Sequence, residues 1–278
     1  MPYCTSGGIS LYYEVHGQGA PLLLLSGLGG GVWSWFGQIP FFQPHYRTIV
    51  FDNRGAGHSQ IPPPPYAIQE FAADALRLLD HLQVEQAFVL GLSMGGMIAQ
   101  ELTLPAPQRV RALVLGCTHC GGSLHISPSP RVVQTLMNNA GLTQEGIIRK
   151  NLPLFFSEAG LQSRREDIES YVHALLQAPH QPKEAFEAQL KAIHDFDCCG
   201  RLDTISVPTL IITGSMDILV PPENSRILAE RIPHAERVMI PGAGHALHVE
   251  CRDTLNGLAL DFFNRHSAEN ALTRKLRP

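Results

Sequence analysis

The sequence predicts an α/β fold, with a mostly parallel sheet covered by helices on both faces. Three observations predict it. Short apolar runs alternate with amphipathic stretches through the first half of the chain, the pattern of strands connected by crossover helices. A serine flanked by glycines, Gly91-Leu92-Ser93-Met94-Gly95, stands at the corner between one such run and the helical stretch after it. The alternation breaks once, over residues 124–195, and then resumes.

Taken in order, Ile9 to Val15 and Leu22 to Leu25 read as strands, the second running into a glycine-rich turn at Gly27 to Gly31. Arg47 to Phe51 reads as another strand, ending at Asp52. Ile68, Phe71, Ala72, Ala75, Leu76, Leu79 and Leu82 recur at helical spacing and predict an amphipathic helix of about four turns. A strand at Ala87 to Leu90, a helix after Ser93 and a strand at Val110 to Leu115 follow. Within 124–195 no strand run occurs. Val132 to Met137, Glu145 to Lys150, Arg164 to Leu176 and Lys183 to Ala192 are helical in character, punctuated by prolines 128, 130, 153, 179 and 182. We read this stretch as a helical insertion between two strands of one sheet. Core residues 1–123 and 196–266 then enclose an insertion at 124–195. A strand through Thr209 to Thr213, a helix near 222–231, a strand at Arg237 to Ile240 and a helix reaching Arg265 complete the core, with 267–278 a loosely held tail.

Composition bounds the function classes. With 44% hydrophobic and 17% charged residues, the chain can bury a large core. A net charge of -4 gives no electrostatic reason to expect nucleic acid or an anionic membrane as partner. The first residues carry no basic segment leading into an apolar one, and Leu22 to Leu25, the longest aliphatic run, is far too short to span a bilayer. The expectation is a soluble, cytoplasmic protein. On that expectation its six cysteines, Cys117, Cys120, Cys198 and Cys199 among them, are read as small, partly buried apolar residues, neither a disulfide framework nor a metal site.

The chemistry starts from Ser93. A serine hydroxyl is a weak nucleophile; it needs a base within hydrogen-bond reach, and that base needs an orienting acid. Asp217 follows the strand at 209–213 through Gly214-Ser215-Met216, and His245 follows the strand at 237–240 through Pro241-Gly242-Ala243-Gly244. All three stand just past a strand's C-terminal end, where open parallel sheets place their sites. Other readings stand beside these. Asp217 is placed to cap the segment opened by Pro221 and Pro222. Asp52-Asn53-Arg54-Gly55 is read as loop bracing, Trp33 and Trp35 as pocket lining or core, His119 as a pocket wall, and Glu250 as a partner for nearby backbone.

With these residues in hand, the chain resembles the α/β-hydrolase superfamily over residues 8–265. The resemblance is carried by Ser26-Gly27-Leu28-Gly29, Phe51-Asp52-Asn53-Arg54-Gly55-Ala56-Gly57-His58-Ser59, Gly91 to Gly96, Gly214 to Pro221 and Gly242-Ala243-Gly244-His245. It implies an α/β-hydrolase fold with a helical cap inserted after the sixth strand. It further implies Ser93 as nucleophile, His245 as general base and then acid, Asp217 as orienting carboxylate, and the backbone N–H groups of Leu28 and Met94 as oxyanion hole. Trp33 and His119 would contact substrate. One departure stands out: the family often has His-Gly before the oxyanion residue, and here Ser26-Gly27 takes its place, so the turn must be hydrogen-bonded differently. Serine at the elbow disfavours relatives that use aspartate there. The resemblance implies cofactor-free cleavage of carboxylic esters with small to medium acyl chains. Enol-lactone hydrolysis, carbon–carbon bond hydrolysis and perhydrolysis are alternatives on the same triad, and a slow-turnover ligand sensor is the alternative from another class. In every case the partner is a small molecule, an ester or lactone foremost. The apolar residues Leu152, Leu154, Phe155 and Phe156 would suit apolar acyl or alcohol groups.

Overall fold

The computed structural model describes residues 2–267. Most of the tail expected over 267–278 therefore lies outside the described residues. Eight strands form one sheet: β1 (Tyr3–Ser6), β2 (Ile9–His16), β3 (Pro21–Leu25), β4 (Arg47–Phe51), β5 (Ala87–Leu92), β6 (Val110–Gly116), β7 (Thr209–Gly214) and β8 (Glu236–Ile240). Their spatial order is β1-β2-β4-β3-β5-β6-β7-β8. β1 and β2 pair antiparallel, β2 runs antiparallel to β4, and every later pairing is parallel.

The pleat sorts each strand onto two cores. Val50, Leu24, Leu90, Val114 and Leu210 stand opposite one another in a row across five strands and all belong to one apolar cluster. Their neighbours Ile49, Leu23, Val89 and Leu113 form the matching row on the other face. Because successive side chains point to opposite faces, continuous apolar runs such as Leu22 to Leu25 are what a sheet buried on both sides requires. On the first face lie α1 (Ile39–Phe42) and α11 (Arg252–Arg265), through Phe42, Leu255, Ala259, Phe262 and Phe263. On the second lie α2 (Ile68–His81), α3 (Met94–Thr103) and α9 (Glu223–Arg231), with Phe71, Leu78, Met97, Ile98 and Leu228 inward. α10 (Leu247–Glu250) is a single turn following His245.

Between β6 and β7 the chain runs through α4 (Pro130–Met137), α5 (Gln144–Phe155), α6 (Glu158–Ser163), α7 (Arg165–Gln177) and α8 (Lys183–Asp195). Hydroxyls of Ser129, Thr143 and Ser157 cap α4, α5 and α6 by accepting the N–H groups of Val132, Gly146 and Gly160. Pro153 lies inside α5 rather than ending it, in its last turn, where only one helical hydrogen bond is forfeited. A third apolar cluster joins this segment to the His245 loop: Phe156, Ile168, Tyr171 and Val172 pack with Ala246 and Val249.

One expectation is corrected. Cys120 and Cys199 form a disulfide, with Cα atoms 5.0 Å apart across a sequence separation of 79. Cys120 lies just past β6, and Cys199 opens the 3₁₀ turn Cys199–Thr204 that leads into β7. Pairing of β6 with β7 brings both ends of the helical segment together, so two cysteines that read separately as small core residues meet. Cys4, Cys117 and Cys198 are buried free thiols, and Cys251 is a half-buried one.

Candidate active site

Ser93 sits where β5 turns into α3, at φ 56° and ψ -122°, a left-handed conformation that costs a non-glycine residue about 1–3 kcal/mol. The flanking glycines are a matter of space. A Cβ on Gly91 would collide with the Gly95 carbonyl, and one on Gly95 with the Leu25 carbonyl. The Ser93 backbone is held on all sides: its N–H donates to Gly116 O at 2.9 Å, and its carbonyl accepts from Thr118 Oγ1 at 2.8 Å and Gly96 N at 2.9 Å. Its hydroxyl, by contrast, has no hydrogen-bond partner among the described residues. Met94 is the first residue of α3, so its N–H has no acceptor within the helix and points with the positive end of the helix dipole.

The turn after β3 lies against this corner, with Gly27 beside the Ser93 side chain. Gly30 N–H donates to Gly27 O at 3.0 Å, closing a turn in which Gly29 has φ +67°. Leu28 keeps negative φ, so the geometry is that of a type II turn, which needs glycine at its third position. Asn53 braces the Ser26 turn: its Nδ2 donates to Ser26 O and Ser26 Oγ, each at 3.2 Å. Asp52 braces the same loops by accepting Val32 N–H at 2.7 Å and His58 N–H at 2.8 Å, and Arg54 pairs with buried Asp74 at 2.7 Å.

Asp217 and His245 meet at the ends of the neighbouring strands β7 and β8. Their loops are stitched together by Ser215 N–H to Ile240 O and Met216 N–H to Ala243 O, at 3.0 and 2.8 Å. His245 Nδ1 stands 2.8 Å from Asp217 Oδ2. An ionised carboxylate can only accept, so Nδ1 carries the proton and Nε2 keeps its lone pair. The other carboxylate oxygen, Oδ1, accepts Leu219 N–H at 3.0 Å and Val220 N–H at 2.8 Å. One oxygen thus faces His245 while the other holds the turn at 219–220. The expected cap on the segment opened by Pro221 and Pro222 is not made, since α9 starts after Pro222 with no side-chain cap. No hydrogen bond links Ser93 to His245 among the described residues; in unliganded sites such contacts are often long and tighten with substrate.

The remaining candidates separate. Trp35 is core, packed with the α11 face of the sheet, whereas Trp33 packs on Tyr171 of α7, ring centres 6.0 Å apart. His119 lies beyond β6, stacked on His125 at 4.6 Å. Its Nδ1 accepts Gly121 N–H at 2.9 Å, which leaves the proton on Nε2. Burial pushes its pKa down to about 3, with repulsion from His125 and His245 adding to the effect, so it is neutral at pH 7. Burial likewise lowers His248 to about 4, helped by His245.

Among the described residues, Cys117, Asp217 and His245 bring ligand-type atoms within 4.8 Å of one another. Burial and the nearby Asp217 carboxylate push the Cys117 thiol well up, which keeps it protonated, and the Asp217–His245 bond occupies the facing carboxylate oxygen and nitrogen. That donor set suits a hydrogen-bonded pair better than a cation.

A family model described as the alpha/beta hydrolase fold matches residues 20–250. The chain belongs to the α/β-hydrolase family. Among relatives of this α/β hydrolase, "Putative carbamate hydrolase RutD" of Azorhizobium caulinodans is 34% identical over 264 residues, 94% of this chain and 98% of that one. A 3-oxoadipate enol-lactonase 2 of Acinetobacter baylyi is 30% identical, covering 91% of this chain and 92% of its own. The solved enol-lactonase of Burkholderia xenovorans superposes with TM-score 0.82 at 27% identity, covering 95% of this chain and all of that one. Sequence reasoning read Asn53 as a loop brace and Glu250 as a partner for nearby backbone, as Gly244 N–H to Glu250 at 3.0 Å shows. It missed Gln189 and three long-range pairings of this α/β hydrolase's site. These are Asn53 on the Ser26 turn, Gln189 on Gly29, and Glu250 on Ser157, the last two bridging 160 and 93 residues. No local signal marks Gln189 or these long-range partners.

Proposed function

We propose that this α/β hydrolase cleaves carboxylic esters of small to medium acyl chains, through an acyl-enzyme on Ser93. The observation that carries the reading is the Asp217–His245 pair at 2.8 Å, set one strand beyond β6 from a serine held in a strained corner, its hydroxyl unbonded among the described residues. In this reading His245 Nε2 takes the Ser93 proton as Oγ attacks the substrate carbonyl. The N–H groups of Leu28 and Met94 stabilise the alkoxide that forms, and losing one such donor typically costs about 3 kcal/mol of transition-state stabilisation. His245 then protonates the leaving alcohol, and a water activated by the same nitrogen releases the acid. Asp217 keeps the imidazole in the tautomer this needs. The chemistry calls for no cofactor or metal. The helical segment would serve as a cap that sizes the substrate and limits water, with Trp33 and His119 on the substrate's side.

Lactone hydrolysis is the second reading, favoured by the enol-lactonases among the relatives; a lactone is an internal ester and needs the same steps. No helix among the described residues is long and apolar enough to cross a membrane, and the reading places the enzyme in the cytoplasm with a small-molecule partner. A time course of p-nitrophenyl acetate, butyrate and octanoate hydrolysis, with Ser93→Ala beside the wild type, tests it. Sustained turnover lost in the variant supports a serine esterase. A single burst points to a ligand sensor, and activity retained by Ser93→Ala refutes the reading.

A further inference from the structure

We infer that Gln189, on α8 of the helical segment, is a positioning residue for the oxyanion turn. The inference rests on the reading of Leu28 as an oxyanion donor. Gln189 is fully buried, and its amide uses both ends across two loops of the core. Oε1 accepts Gly29 N–H at 2.8 Å, and Nε2 donates to Arg54 O at 2.8 Å.

Two planar peptides flank Leu28, and together they set where its N–H points. The first, Gly27–Leu28, is held through its carbonyl by Gly30 N–H at 3.0 Å, and in a trans peptide the Leu28 N–H must then point the opposite way. The second, Leu28–Gly29, is the central peptide of the turn, the one free to flip between turn types. Gly29 N–H is its only donor, and Gln189 is what holds it. The neighbouring Gln181 seats the same segment by donating Nε2 to Gly55 O at 2.9 Å, and its Oε1 closes over Gly29. The seat of α8 is thereby transmitted to the oxyanion turn. Removing the α8 contacts alone would loosen the hole through this turn.

The test compares Gln189→Leu, which removes both bonds at similar bulk, with Gln189→Glu, which keeps an acceptor for Gly29 N–H and loses the donor to Arg54. Both are measured on p-nitrophenyl butyrate, with Ser93→Ala in the same series, and rates are normalised to folded protein by circular dichroism. Binding of an alkyl trifluoromethyl ketone, which adds Ser93 Oγ and places an oxyanion in the hole, is measured alongside. The expected result is a kcat about 10- to 100-fold lower in Gln189→Leu, up to the cost of a donor misplaced by about 1 Å and short of that of one lost outright, with KM changed less than about threefold. The trifluoromethyl ketone should weaken in proportion, and Gln189→Glu should fall between wild type and Gln189→Leu. Normal kcat and ketone affinity in folded Gln189 variants would overturn the inference while leaving Ser93 as nucleophile. So would a loss that only tracks unfolded protein, with Gln189→Glu deciding if Gln189→Leu does not fold. Activity retained by Ser93→Ala would remove the functional reading and the inference with it.

Discussion

The Glu250 carboxylate joins Ser157, the residue that caps α6, to Gly244, the residue before His245. One oxygen accepts the Ser157 hydroxyl, and the other accepts Ser157 N–H at 3.2 Å and Gly244 N–H at 3.0 Å. Ala246 N–H donates to Phe155 O at 2.8 Å just beside it, so the histidine loop is fastened to the α5–α6 junction on both sides of His245.

Glu250→Gln should therefore weaken both the fold and the site. The amide oxygen can keep Ser157 N–H and Gly244 N–H, but its NH₂ then faces the Ser157 hydroxyl, which loses its buried acceptor at a cost of about 1–3 kcal/mol. We expect a lower midpoint in urea denaturation together with a reduced kcat. Stability and kcat both equal to wild type would show that the bridge is dispensable.

Asp217→Asn should separate the two roles of this side chain. With Oδ1 still accepting from Leu219 and Val220, the thermal midpoint should move little. The wrong histidine tautomer should cut kcat by about 10⁴. A large drop in thermal midpoint with near-normal turnover would reduce Asp217 to a turn cap.

His119 and His248 make stability depend on pH. Both pKa values are depressed by burial, to about 3 and about 4, so the unfolded chain binds more protons than the folded one below pH 6.5. Stability should be full above that pH and fall as pH drops towards about 4. His119→Asn keeps an acceptor for Gly121 N–H and removes one titrating ring. Its loss of stability between pH 7 and pH 5, read by urea unfolding, should be smaller than that of the wild type; an equal loss would contradict the assignment.

The Cys120–Cys199 bridge closes a long loop, and removing such a bridge typically costs about 2–4 kcal/mol. The thermal midpoint should fall when the unfolded chain can react with dithiothreitol. The double variant Cys120→Ser/Cys199→Ser should start lower and ignore the reductant. Identical midpoints for wild type and double variant would mean that the bridge contributes nothing.

The sequence alone determined strands β2 to β8, helices α2, α3, α9 and α11, and the corner at Ser93. Those depend on neighbours: apolar runs mark strands buried on both faces, periodic apolar residues mark α2, and the glycine at 91 is demanded by crowding against Gly95. The glycine at 95 is instead demanded by Leu25 of the distant β3. It also placed Asp217 and His245 at the ends of late strands, because strand ends are local features. Some local structure escaped, such as β1, only four residues long, and Pro153 inside α5. What only the tertiary structure decided is which distant groups meet. Cys120 finds Cys199 because β6 lies beside β7, Gln189 reaches Gly29 because α8 folds back over the β3 turn, and Glu250 reaches Ser157 because the helical segment packs on the histidine loop. These pairs satisfy buried polar groups, and their partners are selected by the strand order and the packing of whole elements, which no stretch of local sequence records.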